Sequence, residues 1–273
     1  MKKRRIFPIY IGLILFIMYV PIVLVIAYSF NQSRISSLWT GFTLSWYKEL
    51  FRDRSMFEAL VNSLVVGTLS SLSAAAIGTL GASGMARMHA TRETKSKLQL
   101  TGGRVMEYLS ILPIMTPEII LGMTFLAFFS FLSLPFGMLT LVIAHTAFCV
   151  PYVYLLVKAR LAGLDKSYVE AARIMGAGDM KAFYDITLPL VLPAVISGML
   201  ISFSMSFDDV IVSVFVSGIH TNTLPMKIYS QIKTGVTPKT NAMCTLIFVL
   251  TVILCLIAAS LTRQQKGINA RDR

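Results

Sequence analysis

The chain has 273 residues, of which 55% are hydrophobic and 14% charged, and its mean hydropathy is +0.72. That balance excludes an ordinary soluble domain, which carries more charge and breaks its apolar runs more often. The formal charge of +12, from 25 Lys/Arg against 13 Asp/Glu, could mark a nucleic-acid binder, but the basic residues gather at the ends of apolar runs, where they set membrane topology.

Crossing the hydrocarbon core takes roughly 20 apolar residues in a helix. Six stretches meet that requirement, at about 6–30, 58–86, 105–131, 138–160, 191–217 and 242–262, and they predict an all-α membrane protein with six transmembrane helices in a single domain, 1–273. The first follows Lys2-Lys3-Arg4-Arg5 and so looks like a signal peptide. Yet Ile6–Phe30 is too long for a signal core and no small-residue cleavage site follows, so it reads as a retained span. The second carries Gly67, Ser71, Ala75, Gly78 and Ala82 three or four residues apart, a small face on which helices approach closely, either within the chain or against another subunit.

In the third span Pro117 frees a carbonyl and can kink the helix. Glu118 beside it is a candidate gate or substrate contact, or else a carboxylate tied to nearby backbone, while Glu107 lies near the cytoplasmic end and is interfacial. The fourth span holds His145, read as a satisfied packing histidine. The three cysteines, Cys149, Cys244 and Cys255, lack metal-ligand spacing and read as small buried hydrophobes.

A loop at about 161–190 joins the fourth and fifth spans. Ser167 is its expected helix cap, with Glu170 completing a capping box and Gly176 ending the helix in a left-handed conformation. A second short helix is expected from Asp179 to Tyr184, capped by Asp179, before Pro189 and Pro193 open the fifth span. Such an amphipathic pair suits a groove in a partner protein, or is a solvated connector.

In the fifth span Ser202, Ser206, Asp209, Ser213 and Ser217 are spaced four, three, four and four, which on one continuous helix makes a narrow polar stripe. Asp209 is therefore expected to face a passage. Asp208, turned about 100° away, is expected to serve packing. A carboxylate at bilayer depth costs about 2.5–3.5 kcal/mol on insertion scales. No deep Lys or Arg is available to neutralise these acids, so a cationic solute or polar groups must satisfy them. With the N-terminus inside, the cytoplasmic segments hold 18 of the 25 Lys/Arg and the outer segments 7, which places both termini in the cytoplasm.

Glu170-Ala171-Ala172, then Gly176, then Ile186-Thr187-Leu188-Pro189 fill every fixed position of the pattern EAA-x3-G-x9-I-x-L-P. This segment resembles the EAA loop of ABC-importer permeases, and the resemblance extends over essentially the whole chain. It implies the type I importer permease fold in a bacterial inner membrane, with the short helix seated in an ATP-binding subunit as a coupling helix. Gly176 would form the tight turn, Glu170, Ala171 and Ala172 would stabilise and pack the loop, and Ile186, Leu188 and Pro189 complete the motif. The implied partners are two copies of the ATP-binding subunit, a homologous second permease and a periplasmic substrate-binding protein. Ser206–Val210, Phe215–Gly218, Thr116–Met123 and Leu224–Met226 are similar to the spermidine/putrescine branch of the family, although permeases for ferric iron, thiamine or phosphonate share parts of them. Carboxylates at Asp209, Asp208 and Glu118 would suit a polyamine. No lysine follows a glycine, so the phosphate-binding loop G-x-x-x-x-G-K-[ST] is absent and ATP hydrolysis is expected in a partner. No cofactor is implied. A self-contained secondary transporter, the competing class, would not need the loop.

Overall fold

The computed structural model describes residues 3–33, 38–90, 97–165, 167–219, 221–249 and 251–253. Backbone contacts divide the chain into two units, one of Met1–Phe57 with Ile228–Arg273 and one of Glu58–Lys227.

The first unit contains helix α1 (Lys3–Tyr28) and the short helix α2 (Ser45–Arg52). No part of the apolar window of α1 is buried by the chain, so its apolar surface is left for lipid or another polypeptide. The turn between α1 and α2 is knotted around Asn31. Its side chain donates to the Leu38 carbonyl at 2.7 Å and accepts from the Thr40 amide at 3.1 Å, and its carbonyl accepts from the Trp46 indole at 2.7 Å. Phe30 stacks on Phe42 at 5.2 Å between ring centres. Lys239, near the start of the apolar helix Pro238–Ile253, reaches Glu49 of α2 at 3.0 Å and Asp53 at 2.9 Å. The expected sixth span runs on to 262, but residue 250 and residues 254–262 lie outside the described residues, as does Cys255.

The second unit is built on α3 (Arg54–Ala90), α6 (Met138–Ala162) and α9 (Leu188–Asp208), with α4 (Lys97–Met115), α5 (Glu118–Phe131) and the short α10 (Ile211–Val216) around them. Helix α6 sits in the middle, and glycine makes that possible. A Cβ at Gly78 of α3 would lie 2.9 Å from the Val153 side chain, and one at Gly198 of α9 would lie 2.9 Å from the Val153 Cα. Val153 of α6 is therefore gripped between two helices with no side chain in the way, and it is fully buried with Cys149 and Val157. The expected small face of the second span is all buried at Gly67, Ser71, Ala75, Gly78 and Ala82, so it packs within this chain.

Among the described residues, Tyr10–Tyr28, Arg54–Met88, Met138–Ala162 and Asp179–Asp208 are each long and apolar enough to cross a membrane. Three departures from expectation matter for the site. The third span is not one gently kinked rod, because α4 and α5 meet at an angle of 111° across Thr116-Pro117. Pro117 takes an extended ψ of 134°, which ends one helix and starts another. The fifth span is not continuous over 191–217 either. It breaks at Asp209, whose ψ is 131°, before α10 begins. Its beginning lies earlier than expected, since helical backbone runs without interruption from Asp179 to Asp208.

Candidate functional site: an exposed loop and a broken membrane helix

Two places in the second unit combine polar chemistry with unusual backbone. One is the segment between α6 and α9. Helix α7 (Ser167–Ile174) ends in a paired-bond turn, with the Ala177 amide donating to the Ala172 carbonyl at 2.9 Å and the Gly176 amide to the Arg173 carbonyl at 3.0 Å. That closure requires a left-handed residue, and Gly176 has φ +84°. The start of α7 differs from expectation. Asp165, not Ser167, provides the side-chain acceptor, taking the Ser167 amide at 2.9 Å. This bond holds the Asp165 carboxyl below the usual carboxylate range.

Helix α8 (Asp179–Ala182) is not the separate element that the sequence suggested. It passes through a π-turn at Phe183–Thr187 directly into α9. Within that turn the Leu188 amide bonds the Phe183 carbonyl five residues back, and the Thr187 hydroxyl reaches the Ala182 carbonyl at 3.4 Å. Pro189 has no amide to offer the carbonyl four residues before it, so a widened turn here costs one hydrogen bond fewer. Ile186 lies in the π-turn, and Leu188 and Pro189 open α9.

Of the three motif residues ahead of Gly176, Ala172 is buried while Glu170 and Ala171 are exposed. The tip of the segment is apolar and bare, with Ile174 and Met175 each 87% exposed and Met180 67%. Behind it lies a cavity of about 390 Å³ whose lining includes Ser83, Arg87, Leu164, Glu170, Phe183 and Leu190. Asp179 ties the segment down. Its carboxylate accepts from Arg173 of α7 at 3.1 Å and lies 3.9 Å from Arg87 of α3, while its carbonyl accepts from Arg87 at 2.6 Å. Sequence reading did not find this cluster, because nothing local links residues 92 positions apart.

The other place is the break between α9 and α10. The Asp209 carboxylate accepts from the amides of Val212 at 3.2 Å and Ser213 at 2.8 Å, and from the Ser213 hydroxyl at 2.8 Å. It thereby satisfies the orphan donors of the α10 N-terminus, where a negative charge is also favoured by the helix dipole. Facing it from α6 is the fully buried His145, whose Nδ1 is 2.7 Å from the Ser206 hydroxyl and whose Nε2 is 3.1 Å from the Ser213 hydroxyl and 3.5 Å from Asp209. Ser202 adds a bond to the Cys149 carbonyl at 3.3 Å. The predicted polar stripe thus exists at Ser202, Ser206, Asp209 and Ser213, but it points at α6.

The geometry reverses the expected exposure of the two acids. The Asp209 side chain is 5% exposed, whereas Asp208 is exposed at the end of α9. Glu118 is also exposed, at the N-terminus of α5. Glu107 pairs with Lys158 across α4 and α6, a partner that sequence reading missed.

With this geometry in place, comparison with known proteins decides the family. The model for "Binding-protein-dependent transport system inner membrane component" matches residues 96–271. The chain belongs to that family. The permease is 35% identical over 247 residues to the spermidine/putrescine transport system permease protein PotC of Haemophilus influenzae, covering 90% of this chain and 92% of the relative. It is 36% identical over 261 residues to the putrescine transport system permease protein PotI of Escherichia coli, covering 93% and 90%. A crystal structure of a bacterial ABC transporter involved in the import of the acidic polysaccharide alginate has a chain with the same fold, at TM-score 0.72 and 15% identity over 95% of this chain and 98% of that one. A chain of the MetNI methionine ABC transporter in an inward-facing form shares the fold at TM-score 0.59 and 18% identity, over 81% and 97%.

Proposed function

We propose that this permease is one half of the translocation pathway of an ATP-driven importer of polyamines, and that residues 161–190 form its coupling loop. The observation that carries the reading is the bare apolar tip at Ile174, Met175 and Met180, held rigidly by the Gly176 turn and continuous in backbone with a membrane helix. A solvated connector has no reason to expose three large apolar side chains on a closed turn, whereas a knuckle that seats in a partner's groove does. Glu170 and Ala171 stand on the same exposed segment as contacts for the ATP-binding subunit, and Ala172 packs it from within.

In this reading the loop and both termini lie in the cytoplasm, on the inner face of a bacterial inner membrane. The assembly contains two ATP-binding subunits, a homologous second permease and a periplasmic substrate-binding protein. ATP hydrolysis belongs to the partners. Closure of the ATP-binding pair displaces the knuckle, and α9 follows because it is the same helix. Asp208 and Glu118 are the carboxylates offered to a polycation, and Asp209 holds the break that presents Asp208. Their exposure, and the similarity to PotC and PotI, support a polyamine as the solute.

Two measurements test the reading. An Ile174→Cys variant of the assembled complex should crosslink to an ATP-binding subunit, and no crosslink would reject the coupling role. Inside-loaded ATP should drive uptake of labelled spermidine or putrescine into vesicles. Absence of ATP-driven polyamine uptake, with uptake of labelled ferric iron, thiamine or phosphonate in its place, would keep the permease and replace the solute.

A further inference from the structure

We infer that Asp179 is a joint that fastens α3 to the coupling loop, so that α3 and the Asp179–Asp208 helix move as one body. The inference rests on the coupling role proposed above. Helix α9 needs no fastening, because its backbone is continuous with α8. Helix α3 has no such continuity, and polar ties link its end to the loop. Arg87 grips Asp179 at two points, the carbonyl at 2.6 Å and the carboxylate at 3.9 Å, while Arg173 holds the same carboxylate at 3.1 Å from α7.

These contacts do little for stability. The three side chains are 43%, 62% and 49% exposed, and ion pairs so open to solvent are screened. Their value is geometric. The guanidinium donates one directed bond to the carbonyl and sets its charge near the carboxylate, which fixes where the end of α3 meets the loop. A cavity of about 390 Å³ lies at the joint, lined by residues of the loop and of the helix ends together with Arg87, Arg173 and Asp179. Ser83, which lines that cavity, keeps a buried hydroxyl with no hydrogen-bond partner among the described residues. Packing between the loop and α3 is thus interrupted at this point, and the Arg87–Asp179–Arg173 cluster bridges the gap.

The experiment uses the complete transporter in proteoliposomes with its binding protein, and reads solute taken up per ATP hydrolysed. Arg87→Gln, Asp179→Asn and the double variant are compared with the unaltered complex, each checked for intact assembly by size exclusion. The expected result is a fall of about three- to tenfold in solute per ATP for Arg87→Gln, and a smaller fall for Asp179→Asn, which keeps the carbonyl acceptor. The double variant should fall no further than Arg87→Gln alone, because that substitution already removes both Arg87–Asp179 contacts. Arg87→Lys, which keeps the charge but loses the fork, should lie between. An unchanged ratio in the single variants, or a double variant whose loss is the product of the two, overturns the joint. The Ile174→Cys crosslink is run in the same preparations. If it fails in the unaltered complex, the coupling role falls and takes the joint with it. If it forms while the ratio stays normal, only the joint is wrong.

Discussion

Replacing Asp209 by alanine should unfold the α9–α10 break, whereas neutralising its neighbour Asp208 should leave the fold intact. Asp209→Ala removes an acceptor from three donors at 2.8–3.2 Å and takes the carboxylate away from His145. Loss of a helix cap alone costs about 1 kcal/mol, and each buried donor left without a partner costs about 1–3 kcal/mol. The Ser213 hydroxyl can turn to another acceptor, so the amides of Val212 and Ser213 dominate. Those two bonds are the cap itself, so the cost is about 2–6 kcal/mol in all, at least about thirtyfold in the folding equilibrium. Asp209→Asn keeps an acceptor oxygen for one amide and should lose about 1–2 kcal/mol. Asp208→Asn removes an exposed charge and should stay within about 0.5 kcal/mol of the parent. Thermal melting of the detergent-solubilised permease, read beside polyamine uptake at matched protein levels, separates the cases. The expected pattern is a large melting shift for Asp209→Ala and, for Asp208→Asn, a normal melt with reduced uptake. A normal melt for Asp209→Ala, or a large shift for Asp208→Asn, would refute the assignment of support to one acid and solute contact to the other.

Other substitutions probe other parts of the structure. Gly198→Val drives a side chain into Val153 and should cost about 1–3 kcal/mol or more by overpacking, seen as lower yield and an earlier melt. Gly176→Val forces a β-branched residue to φ +84°, at about 1–3 kcal/mol confined to an exposed turn, so the protein should insert normally while ATP-driven uptake falls. Burial disfavours the charge of Lys239, but hydrogen bonds to Asp53 and Glu49 overcome this and raise its pKa above the ordinary 10.5. A raised lysine stabilises below its unfolded value and loses that contribution as pH climbs through the folded value. Proteolysis of the α2 region should therefore accelerate above pH 10.5, and Lys239→Met should show the fast rate, without that step, at neutral pH.

What the sequence revealed was mostly short-range. Hydropathy located α1, α3 and α6, because an apolar run is its own signal. Spacing found the small face of α3 and the Gly176 turn, both of which depend on residues within one or two helical turns. The serine–aspartate stripe was visible as a period, but a period does not say which neighbour fills it. His145 does, from a helix more than 60 positions away. The phase argument for Asp209 also assumed an unbroken helix, and Asp209 itself caps the break that ends it. The same limit hid Arg87–Asp179 and Lys158–Glu107, which are pairings across distant segments. The merger of α8 with α9 was masked by Pro189, which reads as a helix start and in the structure follows a π-turn inside a longer helix.

The uninterrupted helix of 30 residues from Asp179 to Asp208 has a mechanical consequence. At 1.5 Å per residue it is about 45 Å long, so a tilt of about 5° about one end carries the other through about 4 Å, more than a hydrogen bond can stretch. Asp208 sits at the far tip of that arm, beside the capped break at Asp209. A push on Met180 thus reaches the carboxylate through continuous helical backbone, with the π-turn at Phe183–Thr187 as the one irregular point on the way.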